Sequence, residues 1–187
     1  MPQYRSVEDL YNYYAEIAEY VPNLPIFSYI LVRLLMPLMK RLVDIPNVVG
    51  LKYSNSNMYE LRHVIDLRQQ NWTVLSGMDE QCVFATMQGA HGHIGSTLNC
   101  MPGVYCQIQD CCKNGKLDRA HELQQYANQV TNVIIAVGFP EALKEVMKML
   151  GFDCGNPRLP SYPISNENQK ILHKKLEGSG FSELVEI

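Results

Sequence analysis

The first hundred residues alternate short, β-branched apolar runs with amphipathic helical stretches, and this alternation constrains the fold more than any other feature. Four runs read as strands: Ile26-Phe27-Ser28-Tyr29-Ile30, Val48 to Lys52, Trp72-Thr73-Val74-Leu75 and His93-Ile94-Gly95-Ser96. Helical stretches separate them. Pro37 to Val43 stops before Pro46, and Met58 to Arg68 is amphipathic through Leu61, Val64, Ile65 and Leu67. A third helix opens at Asp79 or Glu80 and runs to Met87. Ahead of the first strand, Ser6-Val7-Glu8-Asp9 resembles a capping box. It starts a helix whose apolar face carries Val7, Leu10, Tyr11, Tyr14, Ile17, Ala18 and Val21, ended by Pro22-Asn23-Leu24-Pro25. Strands joined by helices of this length form parallel βαβ units. Right-handed crossovers then bring every strand's carboxyl end to one edge.

Beyond residue 100 the pattern is helical only, near Val104–Lys113, Leu117–Val137 and Glu141–Leu150, with a last helix at Asn166–Leu176. A Gly/Pro-rich connection runs from Gly151 to Pro163. The expected fold class is α/β: the C-terminal half of a (β/α)8 TIM barrel, about four parallel strands, with a C-terminal helical extension. A complete barrel needs roughly 200–250 residues or more. Residues 1–187 are expected to form a single domain, with the partial barrel in 1–100 and the final barrel helix and C-terminal helices in 101–187. Half a barrel exposes two strand edges, which favours association.

The net charge of −3 and the lack of a basic stretch argue against nucleic acid as a partner. The longest apolar run, Ile26 to Met36, is too short to span a bilayer and contains Arg33. The polar start Met1-Pro2-Gln3-Tyr4 lacks a secretory signal, so the chain is expected to be soluble and cytoplasmic. Its six cysteines, Cys82, Cys100, Cys106, Cys111, Cys112 and Cys154, contain no CxxC pair and read as free thiols. His91-Gly92-His93 has no adjacent carboxylate or thiolate, so it reads as loop rather than metal site. No cofactor or metal is expected.

Chemical handles fall at or just after successive strand ends: Tyr29, Lys52, Ser54, Gly77, Asp79, Glu80, Gly95 and Ser96. In a barrel or an open α/β sheet, ligands sit at that edge. Lys52 closes a run buried on both faces, where lost hydration favours the neutral amine that attacks a ketone to form a Schiff base. Each residue also has an ordinary reading. Lys52 is then a strand-ending surface lysine, Tyr29 a core aromatic, Ser54 a local cap, and Asp79-Glu80 an acidic helix start. Taken together on one edge, they read as a site.

Val49-Gly50-Leu51-Lys52-Tyr53-Ser54 resembles the Schiff-base strand of the class I pyruvate-dependent aldolases related to dihydrodipicolinate synthase. Gly77-Met78-Asp79-Glu80, Gly89-Ala90-His91-Gly92-His93-Ile94-Gly95-Ser96-Thr97 and Pro157-Arg158-Leu159-Pro160 support the match and resemble the animal-type N-acetylneuraminate lyase branch. The resemblance begins at the helix before the fifth barrel strand and runs to the C-terminus, as though the N-terminal portion were lacking. It implies a lyase that cleaves N-acetylneuraminate (sialic acid) to N-acetylmannosamine and pyruvate, in a family of homotetramers. It makes Lys52 the Schiff-base lysine, Tyr29 the proton-shuttling tyrosine, and Ser54, Gly77, Asp79, Glu80 and Ser96 substrate-binding residues.

The chain departs from the family in two places. The early strands, with their Gly-Ser/Thr-Thr-Gly-Glu carboxylate clamp and a second tyrosine, have no counterpart in this sequence. The stretch Ile30-Leu31-Val32-Arg33-Leu34-Leu35-Met36-Pro37 replaces a polar residue, Ile-Pro and a Thr-Gly turn. Two alternatives therefore stand beside the lyase reading: a catalytically impaired interaction module, and an aldolase for another 2-oxo acid.

Overall fold

The computed structural model describes residues 6–30, 35–67 and 72–186. Helix α1 (Val7–Tyr20) leads into β1 (Ile26–Ile30), α2 (Leu35–Leu42), β2 (Val48–Tyr53), α3 (Met58–Leu67) and β3 (Thr73–Ser76). A 3-10 turn (Asp79–Gln81) precedes α4 (Cys82–Met87), and β4 is Gly92–His93. A second 3-10 turn (Thr97–Asn99) is followed by α5 (Pro102–Lys113), α6 (Leu117–Gly138), α7 (Glu141–Met149), α8 (Asn166–Glu177) and α9 (Phe181–Val185). The four strands form one parallel sheet in the order β1-β2-β3-β4, as successive βα units require.

The chain divides into two compact units, Met1–Met78 with Phe84–Ile94, and Asp79–Val83 with Gly95–Ile187. The first holds the sheet. Its core sets Leu51, Tyr53 and Val74 from the strands against Leu38, Leu42, Leu61, Val64 and Ile65 from the helices. The capping box is present: the Ser6 hydroxyl accepts from the Asp9 N–H, and the Asp9 carboxylate accepts from the Ser6 N–H. Asn47 donates its side-chain amide to the carbonyls of Ala18 and Val21, closing the end of α1 ahead of β1. Glu8 pairs with Arg41, whose guanidinium lies 3.7 Å from the centroid of the Tyr11 ring.

The second unit is helical. The buried face of α6 runs through Ala120, Leu123, Ala127, Val130 and Ile134, in one cluster with Val104 and Ile108 of α5 and Leu172 of α8. Sequence and structure differ at several ends. The fourth strand was expected over His93–Ser96 but is only Gly92–His93. Its last rung carries the Ile94 N–H to the Ser76 carbonyl, where β3 itself ends. Asn166–Leu176 was expected to be the last helix, yet α9 follows it. Gly180, at φ 73°, turns the chain so that Phe181 and Leu184 are buried. Residues 31–34, the centre of the stretch that departs from the family pattern, lie outside the described residues, as does the expected helix end at Arg68.

Candidate active site

Lys52 is half-buried at the carboxyl end of β2, flanked by buried Leu51 and Tyr53. Parallel register sets Tyr29 of β1 opposite it on one side and Leu75 of β3 on the other. The Lys52 Nζ lies 4.3 Å from the centroid of the Tyr29 ring, a cation–π distance. The Tyr29 main chain is held from α1. The Tyr14 hydroxyl accepts from the Tyr29 N–H at 3.2 Å and lies 3.4 Å from the Tyr29 carbonyl. Burial raises the pKa of the Tyr14 phenol, which keeps it protonated. The sequence marked Tyr14 only as a core position on an apolar helix face. No spacing rule announces a hydroxyl that reaches a strand edge fifteen residues on.

Ser54 and Gly77 meet the same lysine. A Cβ on Gly77 would lie 2.0 Å from Ser54 Oγ and 2.7 Å from Lys52 Cε, so any side chain there would have to displace both. The Gly77 N–H donates to the Tyr53 carbonyl at 2.7 Å, continuing the sheet ladder past β3. The Ser54 hydroxyl is buried and has no hydrogen-bond partner among the described residues. A buried hydroxyl left in this state, beside a lysine and a bare backbone, suits a polar group supplied by a ligand. Beneath this layer, Tyr53 shares its hydroxyl between the Asn57 carbonyl and Glu60 Oε2, both at 2.9 Å. Burial, and then Glu60, raise its pKa.

The two histidines of the His-Gly-His sequence are engaged in the first unit. His91 Nδ1 accepts from the Val74 N–H at 3.0 Å, and His93 Nε2 lies 2.9 Å from Thr86 Oγ1. Burial lowers the pKa of His93 to about 4. Among the described residues there is no group of three or more His, Cys, Asp or Glu side chains able to hold a metal ion.

In the second unit, the acidic turn is built around the Asp79 carboxylate. Asp79 is buried, and its Oδ2 accepts from both the N–H and the hydroxyl of Thr97 at 2.8 Å. Thr97 Oγ1 lies 2.9 Å from the buried Tyr105 hydroxyl. A Cβ on Gly95 would fall 1.4 Å from Asp79 Oδ1, so the carboxylate packs directly on the glycine backbone. Glu80 is half-buried, and Ser96 is exposed. Of the residues singled out in the sequence, Lys52, Tyr29, Ser54 and Gly77 thus converge in the first unit. Asp79 and Glu80 share one turn in the second, with Asp79 bonded to the segment that carries Ser96.

The dihydrodipicolinate synthetase family pattern matches residues 2–179. The chain belongs to this family. Among curated relatives, the N-acetylneuraminate lyase of Rhizobium meliloti (strain 1021) is 32% identical over 142 residues, 74% of this chain and 46% of that protein. The chain therefore spans about half the length of the relative it matches. Among solved structures, N-acetylneuraminate lyase from Fusobacterium nucleatum complexed with pyruvate superposes with a TM-score of 0.86 at 26% identity. That match covers 95% of this chain and 61% of the other. A Sulfolobus sulfataricus 2-keto-3-deoxygluconate aldolase, in complex with D-KDPG, gives 0.85 at 25% identity, covering all of this chain and 63% of the other. The parallel sheet with its helical extension is thus the fold of a TIM-barrel family. The names of these two neighbours carry different substrates, N-acetylneuraminate and 2-keto-3-deoxygluconate.

Proposed function

We propose that this member of the dihydrodipicolinate synthetase family is a class I aldolase of the N-acetylneuraminate lyase type, with Lys52 as the Schiff-base lysine. The observation that carries the reading is the convergence on Lys52: Tyr29 under its ammonium, Gly77 bare beside its chain, and a buried Ser54 hydroxyl with no partner among the described residues. The Lys52 amine attacks the ketone carbon of the 2-oxo acid, and loss of water gives a protonated imine. Tyr29 takes the proton from the substrate's β-hydroxyl. The carbon–carbon bond between the positions α and β to the imine carbon breaks, its electron pair moves into the imine, and an aldehyde, N-acetylmannosamine, leaves. Protonation of the resulting enamine and hydrolysis release pyruvate and restore Lys52. In this reading Gly77, Asp79, Glu80 and Ser96 hold the polyhydroxylated portion, and Ser54 binds the substrate beside Lys52. The carboxylates serve as acceptors for sugar hydroxyls. The reading also carries a cytoplasmic homotetramer, which sedimentation of the full chain tests. Among the described residues no helix is long and apolar enough to cross a membrane.

Pyruvate with borohydride should leave a reduced, stable adduct that peptide mass spectrometry maps to Lys52 and that Lys52→Met abolishes. A folded chain that forms no adduct sinks the proposal. The neighbouring 2-keto-3-deoxygluconate aldolase motivates a second substrate in the same assay. Faster pyruvate release from 2-keto-3-deoxygluconate than from N-acetylneuraminate would keep the aldolase and replace its sugar.

A further inference from the structure

The acidic turn Asp79–Gln81 does not run smoothly into α4, and one side chain explains why. In a continuous α-helix the Asp79 carbonyl would accept from the N–H four residues on, that of Val83. Here the primary amide of Gln124, on α6, stands between the two. Gln124 Nε2 donates to the Asp79 carbonyl at 3.0 Å, while Gln124 Oε1 accepts from the Val83 N–H at 3.1 Å. A side chain inserted into the helical ladder is a recognised cause of a local break. Asn128, one turn further along α6, donates Nδ2 to the Glu80 carbonyl at 3.1 Å. The two amides are themselves joined, Gln124 Nε2 to Asn128 Oδ1 at 2.9 Å. Gln124 is 4% exposed, and these bonds engage both of its amide hydrogens and its carbonyl oxygen. A buried amide of this kind costs stability wherever any of its bonds is lost. Its position on a buried helix face that is apolar apart from Gln124 and Thr131 therefore calls for a reason beyond packing.

We infer that Gln124 and Asn128 are positioning residues for the acidic turn: they hold the Asp79 and Glu80 main chain in a 3-10 conformation and so set the direction in which Glu80 presents its carboxylate to a polyhydroxylated ligand. The inference rests on the sugar-binding role proposed for that turn. Both residues belong to the second unit, and the covalent chemistry is assigned to Lys52 in the first. Their loss should weaken recognition of the sugar and spare the chemistry on Lys52.

Pyruvate has no sugar portion and serves as the internal control. Three variants separate the bonds. Asn128→Asp removes the donor to Glu80 at constant shape. Gln124→Glu keeps the acceptor for Val83 but removes the amide donor. Gln124→Met keeps the volume and removes both. N-acetylmannosamine affinity, titrated by NMR, should fall roughly three- to tenfold in Asn128→Asp, the worth of one lost hydrogen bond, and further in Gln124→Glu, which loses the donors to both Asp79 and Asn128. The fall should be larger still in Gln124→Met, with unchanged rates of borohydride-trapped pyruvate adduct in all three. In turnover, KM for N-acetylneuraminate should rise while kcat holds. The loss in Gln124→Glu should shrink as pH falls and the carboxyl regains a donor proton. Wild-type sugar affinity in both isosteric variants overturns the inference and leaves the Lys52 reading standing. Equal loss of sugar binding and adduct formation also overturns it, since that is the mark of a general structural defect. A wild-type chain that forms the adduct but binds no sugar overturns the inference together with the sugar role of the turn. A wild-type chain that forms no adduct removes the lyase reading, and the sugar titration still decides the role of the two amides.

Discussion

Two glycines show how single atoms separate function from stability. At Gly77 an added methyl meets Ser54 Oγ and the flexible Lys52 Cε, groups that can swing aside. Gly77→Ala should therefore cost little in urea midpoint but slow pyruvate trapping at Lys52 by an order of magnitude or so, as misplacement of a reacting group does. A variant that traps pyruvate at the wild-type rate would show that Lys52 tolerates the crowding. At Gly95 the methyl meets the Asp79 carboxylate, which Thr97 holds by two bonds and which cannot retreat. Gly95→Ala should lower stability by about 1–3 kcal/mol in urea unfolding, the scale of overpacking. A shift within error would mean that the carboxylate relocates freely. The sequence made Lys52, Tyr29 and the acidic pair legible because their types and spacing are those of a family motif. It left the work of Tyr14 and Gln124 hidden, because each acts on backbone remote in sequence.

At the scale of elements, β4 carries a pH dependence. His93 lies on that strand against Thr86 of α4, and burial lowers its pKa from 6.5 to about 4. Between these values the unfolded chain binds the proton and the folded chain does not, so stability rises with pH across the window and is lost as pH falls through it. The full effect is at most roughly 3 kcal/mol. His93→Gln should flatten the acid limb of the unfolding curve between about pH 6.5 and 4. An unchanged limb would place the acid sensitivity elsewhere. Element order and the parallel sheet could be read from the sequence because apolar periodicity reports burial directly. The length of β4 could not, since it depends on where β3 stops offering partners. Nor could α9, whose five residues are too few to display a period.

At the scale of the whole molecule, each compact unit encloses its own buried cluster. The acid-sensitive histidine belongs to the first. Amide exchange at pH 5 against pH 7.5 should therefore show earlier opening of β1 to β3, while the central amides of α6, from Ala127 to Ile134, keep their protection. Uniform loss along the chain would mean that the two clusters open as one. Helix α6 also limits how the chain can vary in length. Its amides at 124 and 128 meet consecutive carbonyls only while three residues separate them. One residue gained or lost between them turns the rest of the helix by about 100°. Asn128 would then leave the acidic turn, and Val130 and Ile134 would leave the core in the same step. Homologous chains should accept insertions in the Asn114–Lys116 connection before α6, where a Cβ on Gly115 would meet nothing within 4 Å, and should keep 124–134 free of them.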